Sequence, residues 1–357
     1  MLQQNVRIKK LDDFKWIAAI LVVANHTSPL ESVNLTADFL LTRVLARVSV
    51  PFFLMVTGYF VLYAAMQEDS GIRRILHAIK KTGFLYLAVT ILYLPIQIYN
   101  IIKEPTTPAV LLGNVFRDIF FDGTYYHLWY LPAAIIGLII TYLLLRYAKG
   151  AAFGISVVLY GIGIMGDSYY GLVERIPLLK GVYESMFHVF TYTRNGLFLA
   201  PIFLLLGYQL SVKKNENSGV KEQRQSLRAL RNTLFCLLFM CAEGLLLHAY
   251  EMQRHDSMYL ILPVLMGYLF WYLLLYDNNA KPKGRWQSFY LNGPMLLYFL
   301  HPFVILIVRA FAKITKLSVI LDISIVYFLA VLFGSLCAAY CCVWLGQRIP
   351  WLHKRRS

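Results

Sequence analysis

Long apolar stretches, broken by short clusters of Lys, Arg, Asn, Gly and Pro, run almost from end to end of this 357-residue chain. Ten of them are long enough to predict helices that span a bilayer, which takes about 20 residues at about 1.5 Å each. They cover about 14–31, 40–66, 82–103, 127–148, 152–167, 191–212, 232–250, 257–276, 288–312 and 318–346. Residues 109–121 (AVLLGNVFRDIFF) are too short and too charged to span, and predict an amphipathic interfacial or re-entrant helix. No internal repeat and no inverted pair of broken helices is evident, which argues against the common transporter architectures. The expected fold is all-α: a polytopic integral membrane bundle forming one domain over 1–357. The most polar loop, 213–231, separates six spans from four and is the expected cytoplasmic hinge.

Composition agrees. The chain is 59% apolar and 15% charged, which excludes disorder, a coiled coil and an ordinary soluble enzyme. Its net charge of +15 would suggest nucleic acid in a soluble protein. Here topology accounts for it. Segments 1–15, 66–81, 146–150, 213–231, 277–287 and 347–357 fall on one side and hold 23 basic and seven acidic residues; the remainder holds 11 and 12. Short loops rich in Lys and Arg stay in the cytoplasm. Both termini are therefore expected there, in a bacterial-type plasma membrane, with lipid and not nucleic acid as the partner. Arg309, Lys313 and Lys316 come nearest to a basic outer loop and leave spans nine and ten the least secure pair. The first segment keeps Lys15 and His26 and lacks a small-residue cleavage site, so it reads as a retained anchor. The five cysteines show no Cys-x-x-Cys spacing, and no metal site is expected.

Ionisable groups inside such spans are costly and are candidates for function. His26 follows Lys15 by eleven residues, which returns it to nearly the same helix face about 16 Å deeper. His301, in YFLHPF, lies at a similar depth in the ninth span and shares a face with Tyr298. Glu243 sits at mid-depth in the seventh span, where it could orient a histidine or balance Arg43 or Arg47. Arg43 and Arg47 stand at i, i+4 and could hold an anionic acceptor, pair with buried acids or snorkel to headgroups. Tyr125, Tyr126, His127, Trp129 and Tyr130 open the fourth span, with Arg194 on the same side; the plainer reading of the aromatics is an interfacial belt. Arg73, Arg74, Lys80 and Lys81 bracket a short helix. They read either as an anchor on anionic lipid or, with Lys15, as a cradle for a phosphorylated cofactor. For His26, the plainer reading is a structural bond to a neighbouring helix.

Four stretches resemble the acyltransferase-3 family, whose multi-spanning members acylate sugars and other envelope components. Residues 11–26 (LDDFKWIAAILVVANH) are similar to its first helix, in which an Arg is followed after ten residues by His; Lys15 stands for the Arg. Pro51-Phe52-Phe53 to Thr57-Gly58-Tyr59, HLWYL (127–131) and YFLHPF (298–303) are similar to its later motifs, in order and spacing. Residues 18–30, 41–60 and 125–137 further resemble the membrane half of vancomycin-resistance membrane-bound serine racemases. There such a half precedes a racemase domain that uses pyridoxal phosphate, and L-serine uptake is ascribed to it. This sequence ends in WLHKRRS, about where that domain would begin. The expectation is that no racemase domain is present and that the chain does not racemise serine itself.

The resemblance implies transfer of an acyl group, acetyl being the expected one, from cytoplasmic acyl-CoA to a small-molecule or glycan acceptor. His26 would be general base or transient acyl carrier, with His301 or Glu243 orienting it. Lys15, Arg73 and Arg74 would bind CoA phosphates. Arg43, Arg47, Tyr126, His127, Trp129, Arg194 and Tyr298 would line the acceptor site. The alternative is serine uptake, with Arg43, Arg47 or Arg194 on the carboxylate and Glu243 on the ammonium, or a membrane domain that partners a racemase.

Overall fold

Each of the ten apolar stretches forms a helix in the computed structural model, which describes residues 7–68, 70–216, 222–275 and 286–348. In chain order the helices are α1 (Lys9–Thr27), α2 (Leu35–Met66), α3 (Gly71–Lys103), α4 (Pro108–Arg117), α5 (Tyr130–Tyr147), α6 (Ala152–Met165) and α7 (Tyr170–Glu174). They continue with α8 (Pro177–Phe187), α9 (Ala200–Glu216), α10 (Glu222–Ala249), α11 (Leu262–Leu275), α12 (Gln287–Thr315), α13 (Val319–Asp322) and α14 (Ser324–Arg348). No strand occurs among the described residues. The middle of the expected hinge, 217–221, and the terminal run 349–357 lie outside them.

Among the described residues, six helices (α2, α3, α5, α10, α12 and α14) are long and apolar enough to cross a bilayer. The other four are α1, whose first half carries Asp12, Asp13 and Lys15, and the shorter α6, α9 and α11. The protein is a polytopic membrane helical bundle. The expected third span begins eleven residues early. The basic segment 71–81 is no separate helix but the first turns of α3, whose 33 residues reach about 50 Å, beyond the roughly 30 Å of hydrocarbon. Arg73, Arg74, Lys80 and Lys81 extend the helix readily because long basic side chains are good helix formers. The sixth span begins late, at Ala200, because Thr193 and Asn195 spend their side chains on loop bonds. Residues 109–121 do form a helix: α4 buries no side chain, and the Tyr86 hydroxyl of α3 donates to the carbonyl of Asp118 just beyond it, at 3.1 Å.

The chain divides into two compact units. Unit one comprises Met1–Ser49, Glu222–Leu227 and Tyr272–Ser357. Its core is the contact of α1, α12 and α14 around Ala19, Val23, Leu297, Val304, Ile305, Tyr327 and Val331. On α1, Trp16, Ala19, Ile20 and Val23 recur at helical spacing, so one stripe faces this core and His26 extends it. Beyond α1 the chain is tied down by Ser324, whose hydroxyl donates to the Pro29 carbonyl at 2.8 Å. The start of α2 is wound as a π segment (Phe39–Val44) and then a 3-10 segment (Leu45–Val48), both packed against α1.

Unit two comprises Val50–Lys221 and Arg228–Trp271. Residues Ala200–Leu205 of α9 are buried throughout. Gly58 of α2 and Gly207 of α9 let two backbones meet: a Cβ on Gly58 would stand 2.8 Å from the carbonyl carbon of Leu204, and one on Gly207 2.9 Å from that of Met55. Small residues at such contacts are how membrane helices approach closely.

Candidate active site

In unit one the structure brings His26 and His301 together. Their ring centroids are 5.3 Å apart, with planes 25° from parallel. Tyr298 lies beside them, its ring centroid 6.3 Å from that of His301. Two prolines inside α12 explain how the pair is held. A proline supplies no N–H, so the carbonyl four residues earlier loses its helical donor. Pro302 frees the carbonyl of Tyr298, and His301 Nδ1 takes it at 2.8 Å, with the Leu297 carbonyl at 3.3 Å. Carbonyl oxygens only accept, so Nδ1 carries the hydrogen and the lone pair of the neutral ring is on Nε2. Pro294 frees the carbonyl of Tyr290, and Trp16 Nε1 of α1 donates to it at 3.0 Å. That bond locks the register of α1 against α12, and so the height of His26 against His301.

His26 also lines a cavity of about 750 Å³ at the C-terminal ends of α1 and α12 and the N-terminal end of α14. Lys15 donates to Asp12 Oδ1 at 2.7 Å, and Arg7 stands 3.8 Å from the same carboxylate. Arg43 is exposed and Arg47 half-buried, with Arg47 Nε donating to the Arg43 carbonyl at 3.3 Å.

The other expected residues belong to unit two. Arg74 pairs with Glu68, holding that carboxyl below its usual range, and Arg73 is exposed. Glu243 is engaged by three donors: the Tyr169 hydroxyl at 2.8 Å and the N–H groups of Leu260 and Ile261 at 2.6 and 3.2 Å. Those N–H groups lead into α11, so the carboxylate holds the start of that helix, where negative charge is favoured. His127 is buried against Tyr93, Tyr125 and Tyr126, with ring centroids 5.2, 5.7 and 5.6 Å away; Tyr126 is exposed at its edge. Arg194 lies over Tyr192 at 4.1 Å and Trp129 at 5.1 Å and donates to Ser257 Oγ at 3.1 Å. Thus His127 joins Tyr126, and Trp129 joins Arg194, through ring and cation contacts.

Asp167 organises the loops around Arg194. Fully buried, it accepts at Oδ1 from Ser257 N at 2.7 Å, Met258 N at 2.9 Å and Ser168 Oγ at 3.0 Å. Burial pushes its carboxyl up to about 6, against the lowering effect of these bonds and of Arg194. The folded state thus keeps this proton to higher pH than the unfolded chain. Between about pH 4 and 6 the folded state binds more protons, and stability falls as pH rises, by up to about 3 kcal/mol. Asp167→Asn is expected to flatten that slope, read as the melting temperature of the purified protein from pH 4.5 to 7.5. Nothing in the sequence marks Asp167: its two backbone donors, Ser257 and Met258, lie some 90 residues away.

All five cysteines are free, and no group of metal-binding side chains occurs among the described residues.

A family model for an acyltransferase domain matches residues 8–344. An amino-acid racemase of Enterococcus faecalis is 38% identical over 342 residues, covering 94% of this chain and 45% of that protein. A serine/alanine racemase of Enterococcus gallinarum is 33% identical over 352 residues, covering 98% and 47%. The chain spans less than half the length of these relatives. No solved structure matches it.

Proposed function

The chain belongs to the acyltransferase-3 family of integral membrane proteins, and from that premise we propose that it moves an acyl group, acetyl being the expected one, from cytoplasmic acyl-CoA to a hydroxyl or amine. The observation that carries this reading is the His26–His301 pair with His26 in the wall of a cavity of about 750 Å³. His26 takes the acceptor proton as the acceptor oxygen or nitrogen attacks the thioester carbonyl. The carbon–sulfur bond breaks, and the CoA thiolate leaves and is protonated to a free thiol. His301, its tautomer fixed by the Tyr298 carbonyl, presents Nε2 as an acceptor beside the base. Lys15 is the proposed phosphate contact on α1; it already has a carboxylate partner, Asp12, that a phosphate would displace. Within unit two, Arg73 and Arg74 on α3 are candidates for the same role, Arg73 exposed and Arg74 paired with Glu68. Lysine also lacks the bidentate fork of arginine, so modest donor affinity is expected.

The test is thiol release from acetyl-CoA by the purified chain, with and without candidate sugar and amino-acid acceptors. Acceptor-dependent release supports the reading; no CoA binding at millimolar donor overturns it. A second reading is amino-acid uptake or a membrane partner for a racemase; the relatives' names, amino-acid racemase and serine/alanine racemase, bear on the partner half of it. Arg194 over Tyr192 and Trp129 is its proposed carboxylate contact. Serine accumulation in proteoliposomes without thiol release would select it.

A further inference from the structure

The C-terminal end of α12 carries Arg309 and Lys313 at i, i+4, continuing the stripe that carries His301 and Ile305. Lys316 follows the last residue of the helix as its left-handed cap. All three line the same cavity as His26, and among the residues lining it Glu31 is the one carboxylate. Arg309 is held in place: its Nε donates to the Tyr327 hydroxyl at 2.9 Å, and its guanidinium carbon lies 5.7 Å from that ring's centroid. Of the five guanidinium hydrogens, the four on the terminal nitrogens are left for a ligand.

Positive charge is least expected here. With the termini in the cytoplasm, the C-terminal end of α12 faces outward, where Lys and Arg are disfavoured in short loops. The negative end of the helix dipole accounts for lysines in the last turn. It does not account for Arg309, which lies well before that turn, bonded to a tyrosine of α14 in the cavity wall.

We propose that this cavity selects acceptors carrying a negative charge, a phosphate or a carboxylate, close to the hydroxyl to be acylated. Arg309 supplies the fork that fits such a group, Lys313 and Lys316 supply field, and His26 stands in the same wall as the base. That the anion belongs to an acyl acceptor rests on the function proposed above; that an anion binds here does not.

The test is therefore a binding measurement on the full chain in uncharged detergent. Thermal stabilisation is titrated with glucose, glucuronate and glucose 6-phosphate, and thiol release from acetyl-CoA is followed in parallel. A lipid source of the same chemistry is examined in nanodiscs, comparing phosphatidylglycerol with phosphatidylcholine. The expected result is saturable stabilisation by a charged ligand, soluble or lipid, and none by its neutral counterpart. Arg309→Gln should weaken that affinity about tenfold or more, the loss of a charge-assisted bond. Lys313→Gln with Lys316→Gln, at exposed positions that spare the Tyr327 bond, should weaken it less. Equal response to charged and neutral ligands, or a response unchanged in both variants, overturns the proposal. Charged-ligand binding without thiol release would leave the anion site standing and overturn the transfer reading instead.

Discussion

His26→Ala lowers the rate of acyl transfer from acetyl-CoA by about 10²- to 10⁴-fold, the usual contribution of a positioned general base. The loss should appear in kcat. His26 lies eleven residues along α1 from Lys15, about 16 Å away, so KM for acetyl-CoA should stay nearly constant. Packing gives little reason for unfolding, because His26 is half-buried and the core stripe of α1 rests on Ala19 and Val23. A melting temperature close to wild type with turnover lost identifies a chemical role. Turnover within a few-fold of wild type would remove His26 from the mechanism, whatever its distance from His301.

The second large effect is on folding. Gly58→Ala and Gly207→Ala each place a methyl group within 3 Å of a backbone carbonyl carbon on the opposing helix, Leu204 in one case and Met55 in the other. Backbone does not swing aside as a side-chain tip does, so α2 and α9 would have to separate. Overpacking typically costs about 1–3 kcal/mol and occasionally more, and with backbone as the obstacle both variants should show sharply lower melting temperatures and less monodisperse protein on size exclusion. Because the two glycines face one contact, the double variant should cost less than the sum. Gly83→Ala and Gly113→Ala, where an added Cβ meets nothing within 4 Å, are the matched controls and should be neutral or slightly stabilising. Wild-type behaviour of Gly58→Ala would mean the two helices are not in backbone contact.

The helices were legible because hydropathy over 20 residues is a strong, local signal. The histidine pair was legible from a weaker one: two ionisable residues at similar depth, each too costly to place there idly. Helix ends were less so. The sixth span was expected from 191, yet Thr193 bonds to Gly163 and Asn195 caps the turn at Leu197 and Phe198, postponing α9 to Ala200. Hydropathy registers neither a side-chain cap such as that of Asn195 nor a bond to Gly163, 30 residues from Thr193. Glu243 shows the same limit. Its depth marked it as a candidate for chemistry, but its three donors come from Tyr169, Leu260 and Ile261, which no pattern on α10 reveals. Pro302 lay in plain view beside His301; its effect depends on which carbonyl it frees.

That carbonyl determines how His301 handles protons. Imidazoles that conduct protons do so by switching tautomers, in at one nitrogen and out at the other. With Nδ1–H pinned to the Tyr298 carbonyl, His301 has one door. A proton enters at Nε2 and leaves from Nε2, unless the bond beside Pro302 breaks. The ring can lend and reclaim a proton within a turnover, but it is an insulator along the helix axis.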